Sequence, residues 1–116
     1  MNRHLNLRAL AAITAGLVFA SPIAAAGSAE KGKAAYVKHG CWQCHGFAGQ
    51  GSVAGVKLAP NPIPFEALSA YVRNTNGGMP PYQKAILPDE DLADIYAYLQ
   101  SVPKPPEVNG IPLLKP

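Results

Sequence analysis

The run Cys41-Trp42-Gln43-Cys44-His45 contains both cysteines of this 116-residue chain. On one helical turn, thiols three positions apart lie on nearly the same side, and an imidazole follows them directly. Three uses fit such a run: a dithiol redox centre, part of a zinc site, or the C-x-x-C-H attachment point of a c-type haem. The dithiol reading needs a βαβ setting, and no alternating strand pattern of useful length occurs in the sequence. Zinc needs two further ligands, and a loop built from His39, Cys41, Cys44 and His45 is unusually cramped. Haem uses every residue of the motif. Each thiol adds to one vinyl group of the same porphyrin, and His45 sits beneath the iron as its proximal ligand.

The stretch ahead of the motif places it outside the cytoplasm. Arg3 and Arg8 precede an apolar run from Ala9 to Ala20, and Ser21-Pro22 leads into Ala24-Ala25-Ala26. That is the order of a basic region, an apolar core and a small-residue cleavage site in a secretory signal peptide. A spanning helix needs about 20 apolar residues, and this core is shorter and is broken by Pro22. Cleavage after Ala26 is therefore expected, giving a periplasmic mature form with no membrane span. Losing Arg3 and Arg8 lowers the formal charge from +3 to +1. Such a weak charge speaks against nucleic-acid binding, which relies on a concentrated basic surface, and against long-range steering of a partner. About 90 residues remain, a size at which side chains alone make a marginal core. With 11 Gly and 12 Pro, the chain reads as irregular loops wrapped around something.

The pattern along residues 27–102 predicts a single all-α domain. Ala29 to Lys38 reads as a short helix with Gly32 and Tyr36 on one face, ended by His39-Gly40. Residues 41–62 read as loop after at most one further turn. Pro64 to Arg73 resumes helical spacing through Phe65, Leu68 and Val72, with Pro64 in the first turn. The clearest helix is Asp89 to Ser101, with an apolar stripe of Leu92, Ile95, Tyr96 and Leu99. Asp89, Glu90 and Asp91 crowd its first turn, where negative charge suits the helix dipole. Residues 103–116 read as a Pro-rich tail, extended and not helical.

Met79 is the sole methionine after the signal stretch, and it lies in Gly77-Gly78-Met79-Pro80-Pro81-Tyr82. Glycines and prolines make a poor helix but a good loop for holding one side chain in place. His39 is too close to the attachment motif to reach the opposite face of the haem. Met79 is thus expected opposite His45 as the second axial ligand, a pairing used in cytochromes c. With both axial positions filled, the protein carries electrons and is not an enzyme by itself. The alternative packs Met79 elsewhere and leaves a five-coordinate haem for catalysis or gas sensing, although no distal His or Arg is set to work on peroxide.

Gly32 with Tyr36, the C-W-Q-C-H run, the M-P-P-Y loop and the final D-L-A-D-I-Y-A-Y-L helix together resemble the monohaem class I cytochromes c. The resemblance implies an all-α fold of three to four short helices and long loops around one covalent haem c. It also implies that the first and last helices cross where Gly32 meets Tyr98 or Leu99. Two positions depart from the family. Gly55 is followed by Val56, where a proline carbonyl often accepts the proximal histidine's proton, so the Val56 carbonyl would take that role. Pro88 stands where a Ser or Thr cap is common, with Asp89 as the replacement cap. More narrowly, the chain resembles the small cytochrome subunits of periplasmic flavoenzymes that oxidise phenols, such as p-cresol methylhydroxylase and eugenol hydroxylase. That likeness implies a periplasmic dehydrogenase, a flavoprotein, as electron donor and a downstream cytochrome or oxidase as acceptor. The family's exposed haem edge falls here among Trp42, Gln43, Phe47, Ala48, Pro80 and Pro81, an apolar docking surface. The apolar tail segment 111–114 is a second candidate contact.

Overall fold

A computed structural model describes residues 27–114, so the signal-peptide reading of residues 1–26 and the last two residues of the tail lie outside it. The described residues form four helices: α1 (Ala29–Lys38), α2 (Trp42–His45), α3 (Phe65–Asn74) and α4 (Asp89–Ser101). Two 3-10 turns follow, Val108–Gly110 and Pro112–Leu114, and there is no strand among the described residues. The fold is all-α, as the sequence pattern predicts. No helix among the described residues is long and apolar enough to cross a membrane.

The frame is the crossing of α1 and α4. Ser28 starts α1 by accepting a hydrogen bond from the Lys31 N–H, and its own N–H donates to Asp94 Oδ1 of α4 at 2.6 Å. At Gly32 the two helices touch backbone to backbone. A Cβ there would lie 1.8 Å from the Asp94 carbonyl oxygen and 2.9 Å from Tyr98 Cβ. The crossing is therefore at Asp94 and Tyr98, while Leu99 points into the core. One turn further on, Tyr36 is fully buried with its ring 5.5 Å from that of Tyr98. Leu92, Ile95 and Leu99 of α4 join Leu68 and Val72 of α3 and Leu87 in one core. Each such large apolar side chain contributes about 1.5–3 kcal/mol when buried.

Three features differ from the sequence reading. Helix α3 begins at Phe65, with Pro64 just outside it at ψ 143°, and α4 has Pro88 in the same position at ψ 154°. The residue before a first turn is extended, and proline, with φ fixed and no N–H to satisfy, tolerates that place. Asp89 does not cap α4. It is the first helical residue, and its carboxylate instead binds Arg73 and Lys84. The tail is not extended throughout: Gly110 N–H closes on Glu107 O at 2.8 Å and Leu114 N–H on Ile111 O at 3.0 Å. A single 3-10 turn needs only one such bond, and Pro112 at its start loses no donor that the turn would use. Leu113 remains 94% exposed, so these turns do not join the core.

Candidate cofactor site

Helix α2 is one turn between two glycines in the left-handed region, with Cys41 just ahead of it and His45 as its last residue. Gly46 (φ 77°) turns the chain back beneath the helix, and Gly51 N–H donates to His45 O at 2.8 Å. Ser52 Oγ donates to Cys44 O. Gly55 then passes so close that a Cβ would sit 2.7 Å from Cys44 O and 3.0 Å from His45 Nδ1. Only glycine allows that approach, and it brings the next carbonyl into place: His45 Nδ1 lies 2.7 Å from Val56 O. A carbonyl only accepts, so Nδ1 carries the hydrogen and Nε2 keeps its lone pair free. The Val56 carbonyl thus fixes the imidazole without a proline, in the way that partners orient metal-binding histidines.

Two tyrosines pin the chain that leaves this turn. Tyr36 of α1 donates to Gly46 O at 2.9 Å, and Tyr98 of α4 donates to Phe47 O at 2.8 Å. Beyond them, the Trp42 and Phe47 rings stack 4.5 Å apart at 12°, with Phe47 63% exposed. Across the molecule, the 75–88 loop is anchored at Tyr82. Its N–H donates to Val72 O at 2.9 Å and its hydroxyl to His39 O at 3.0 Å, while Arg73 Nη1 donates to its carbonyl at 2.8 Å.

These elements surround one apolar cavity. Cys41, Cys44, His45 and Met79 all line it, with Leu58, Leu68, Val72, Ile95 and Leu99 among its apolar walls. His39, the other histidine near the motif, is absent from the lining. Its ring is buried against Asp91, 2.7 Å away.

The family described as cytochrome c oxidase, cbb3-type, subunit III matches residues 27–99. The chain belongs to this family. It is a c-type cytochrome, with haem c as its covalently held cofactor and electron transfer, not catalysis, as its work. No curated protein and no solved structure gives a significant match.

The cytochrome's cavity suits that cofactor. Its walls are apolar, both cysteines are unpaired and so available for thioether bonds, and one imidazole nitrogen is free. Burial pushes the Cys41 thiol up to about 11 before attachment, the reverse of the low value that dithiol redox centres and zinc thiolates need. Among the described residues, no group of three His, Cys, Asp or Glu side chains stands ready to hold a metal ion on its own.

Sequence reasoning did not find Arg73, Tyr98 or Ser52 as supports of the site. Their bonds to Tyr82, Phe47 and Cys44 depend on how the loops return. The sole advance signal was the position of Arg73 next to Val72 at the end of a helix.

Proposed function

We propose that Cys41 and Cys44 anchor one haem c through thioether bonds, that His45 Nε2 and the Met79 sulfur are its axial ligands, and that the mature cytochrome works in the periplasm. The observation that carries this reading is a single apolar cavity lined by all four residues, beside which Val56 O holds His45 Nδ1 at 2.7 Å. When bound, the haem supplies one-electron exchange between ferrous and ferric iron.

The chain's own residues do the rest. Val56 and Gly55 fix the imidazole plane and tautomer. Tyr36 and Tyr98 keep the turn after His45 from drifting. The leucine, valine and isoleucine walls exclude water, and a dry site with a sulfur ligand favours the less charged ferrous state. Cys44 is exposed, so the attachment side of the cavity is within reach of a partner.

The donor is a periplasmic dehydrogenase, in our reading a flavoenzyme that oxidises phenolic compounds, and the acceptor is a downstream cytochrome or oxidase. The family's description, which names an oxidase subunit, supports an oxidase at that end. Trp42 and exposed Phe47 form an uncharged contact surface next to the attachment turn.

Met79→Ala in the haem-loaded protein tests the ligation. Covalent haem is retained, the weak red sulfur-to-iron band of the ferric protein disappears, and the reduction potential falls. An unchanged spectrum and potential would refute the assignment. It would favour an open-position haem with a catalytic or gas-sensing role.

A further inference from the structure

Arg73 is the last residue but one of α3, and its side chain is 13% exposed. Nη1 donates to two carbonyls of the 75–88 loop, Tyr82 O at 2.8 Å and Leu87 O at 2.7 Å. Nη2 donates to Asp89 Oδ1 at 2.9 Å, at the start of α4. One guanidinium therefore ties the middle of the loop, its end and the next helix to α3. Its Nε is buried without a partner, a loss that the Nη bonds must outweigh.

Between Thr75 and Tyr82 the loop makes few other hydrogen bonds, and Met79 is its contact with the core. Gly77 N–H reaches Thr75 Oγ1 at a long 3.4 Å, and a Cβ at Gly78 would meet nothing within 4 Å. Met79 sits in that sparse stretch, three residues ahead of the position Arg73 grips.

We infer that Arg73 is the positioning residue that latches the loop shut and so holds Met79 in the cavity. This rests on the reading of Met79 as a ligand. Bonds from a cation to carbonyls are stronger than neutral ones, and a planar fork reaches two acceptors at once where a lysine is a point charge. The bonds to the Tyr82 and Leu87 carbonyls are made in the closed loop, and the bond to Asp89 holds the guanidinium in place for them. When the loop opens, water replaces the carbonyl bonds, so that part of the Arg73 contribution falls on the closed-to-open equilibrium of this segment.

The test uses the ferric haem-loaded protein and added imidazole as a competing ligand. The rate at which imidazole abolishes the red sulfur-to-iron band is followed in the parent, Arg73→Gln, Arg73→Lys and Ser28→Ala. The last variant removes the cap of α1, away from the cavity. Arg73→Gln is expected to be displaced about tenfold faster or more, with Arg73→Lys intermediate and helix content by circular dichroism unchanged. Ser28→Ala lowers the melting temperature yet leaves the displacement rate where it was. If Arg73→Gln does not accumulate, Arg73→Lys against the parent decides. Parent-like rates, or the same acceleration in Ser28→Ala, overturn the latch while leaving Met79 as a ligand. A parent lacking the red band overturns the ligand reading and the latch with it.

Discussion

Replacing Gly32 by Ala sets two physical effects against each other. In an exposed helix interior the change stabilises by about 1 kcal/mol, since alanine is the better helix former. Here the new methyl would lie 1.8 Å from the Asp94 carbonyl oxygen and 2.9 Å from Tyr98 Cβ. Both obstacles belong to the rigid part of α4, so no flexible side chain can swing aside. The helices must move apart by well over an ångström, loosening Tyr36, Leu92, Ile95 and Leu99 together. Overpacking of this kind costs about 3 kcal/mol, the upper end of the usual range, which leaves a net loss of about 2 kcal/mol. For a domain of this size that is a fall of roughly 10 °C in melting temperature. The assay is thermal unfolding of the haem-loaded protein by far-ultraviolet circular dichroism. Lys33→Ala, on the exposed side of α1, is the control and should stay near the parent. A melting temperature for Gly32→Ala equal to or above that of the parent would refute the steric argument, because only helix propensity would then be acting.

Two further outcomes follow from charge. The Asp91 carboxyl is held below its ordinary value of 3.8 by the hydrogen bond with His39 and by Lys38, so its contribution is complete above that value and is lost as pH falls through the lowered one. Asp91→Asn should therefore be less stable than the parent at neutral pH, by about 1 kcal/mol or less, with the gap closing in acid below 3.8; a gap constant with pH in urea unfolding would contradict this. Deleting residues 105–116 and titrating salt, each against affinity for a co-purifying dehydrogenase, separates tail from edge. A tail contact predicts weaker binding on deletion, and the apolar edge at Trp42 and Phe47 predicts only modest salt dependence. Unchanged affinity removes the tail contact, and a steep salt slope replaces the apolar edge by a charged one.

The helices were legible because each carries its own signals. The stripe at Leu92, Ile95, Tyr96 and Leu99 and the acids before it set α4 at the residues where it lies. His39-Gly40 ends α1 in the same way, while its cap, Ser28, comes from the structure. The attachment motif and Met79 stand out in the sequence, and the fold brings all four residues to one cavity. What stayed hidden was whatever joins distant segments. Tyr98 reaches Phe47 only because α4 crosses α1 in a phase set by Gly32, and nothing in the spacing around Tyr98 announces a partner. Pro88 in the place of a Ser or Thr cap points to Asp89 as the substitute, but Arg73 and Lys84 compete for that carboxylate and hold it. Val56 was a correct expectation for the opposite reason: a backbone carbonyl is present at every residue, and Gly55 lets this one close in.

The same residues that make the core also make the cavity. Among the described residues, nine apolar side chains are buried, and seven of them, Tyr36, Leu68, Val72, Leu87, Leu92, Ile95 and Leu99, line the cavity wall. Only Ala35 and Ala59 are buried elsewhere, and neither fills much space. The polypeptide core is thus a shell one side chain thick, with one face packed on protein and the other turned to the cofactor's place. Atoms on that inner face gain dispersion contacts only from what occupies the cavity. Covalent attachment through Cys41 and Cys44, as proposed here, keeps the cofactor on the chain whether it is folded or not, so what the haem adds to stability is the packing and axial ligation gained when the chain closes around it. It explains why about 90 residues with so few large buried side chains suffice, and why the backbone at Gly55, Val56, Tyr82 and Leu87 is gripped so closely around the cavity's rim.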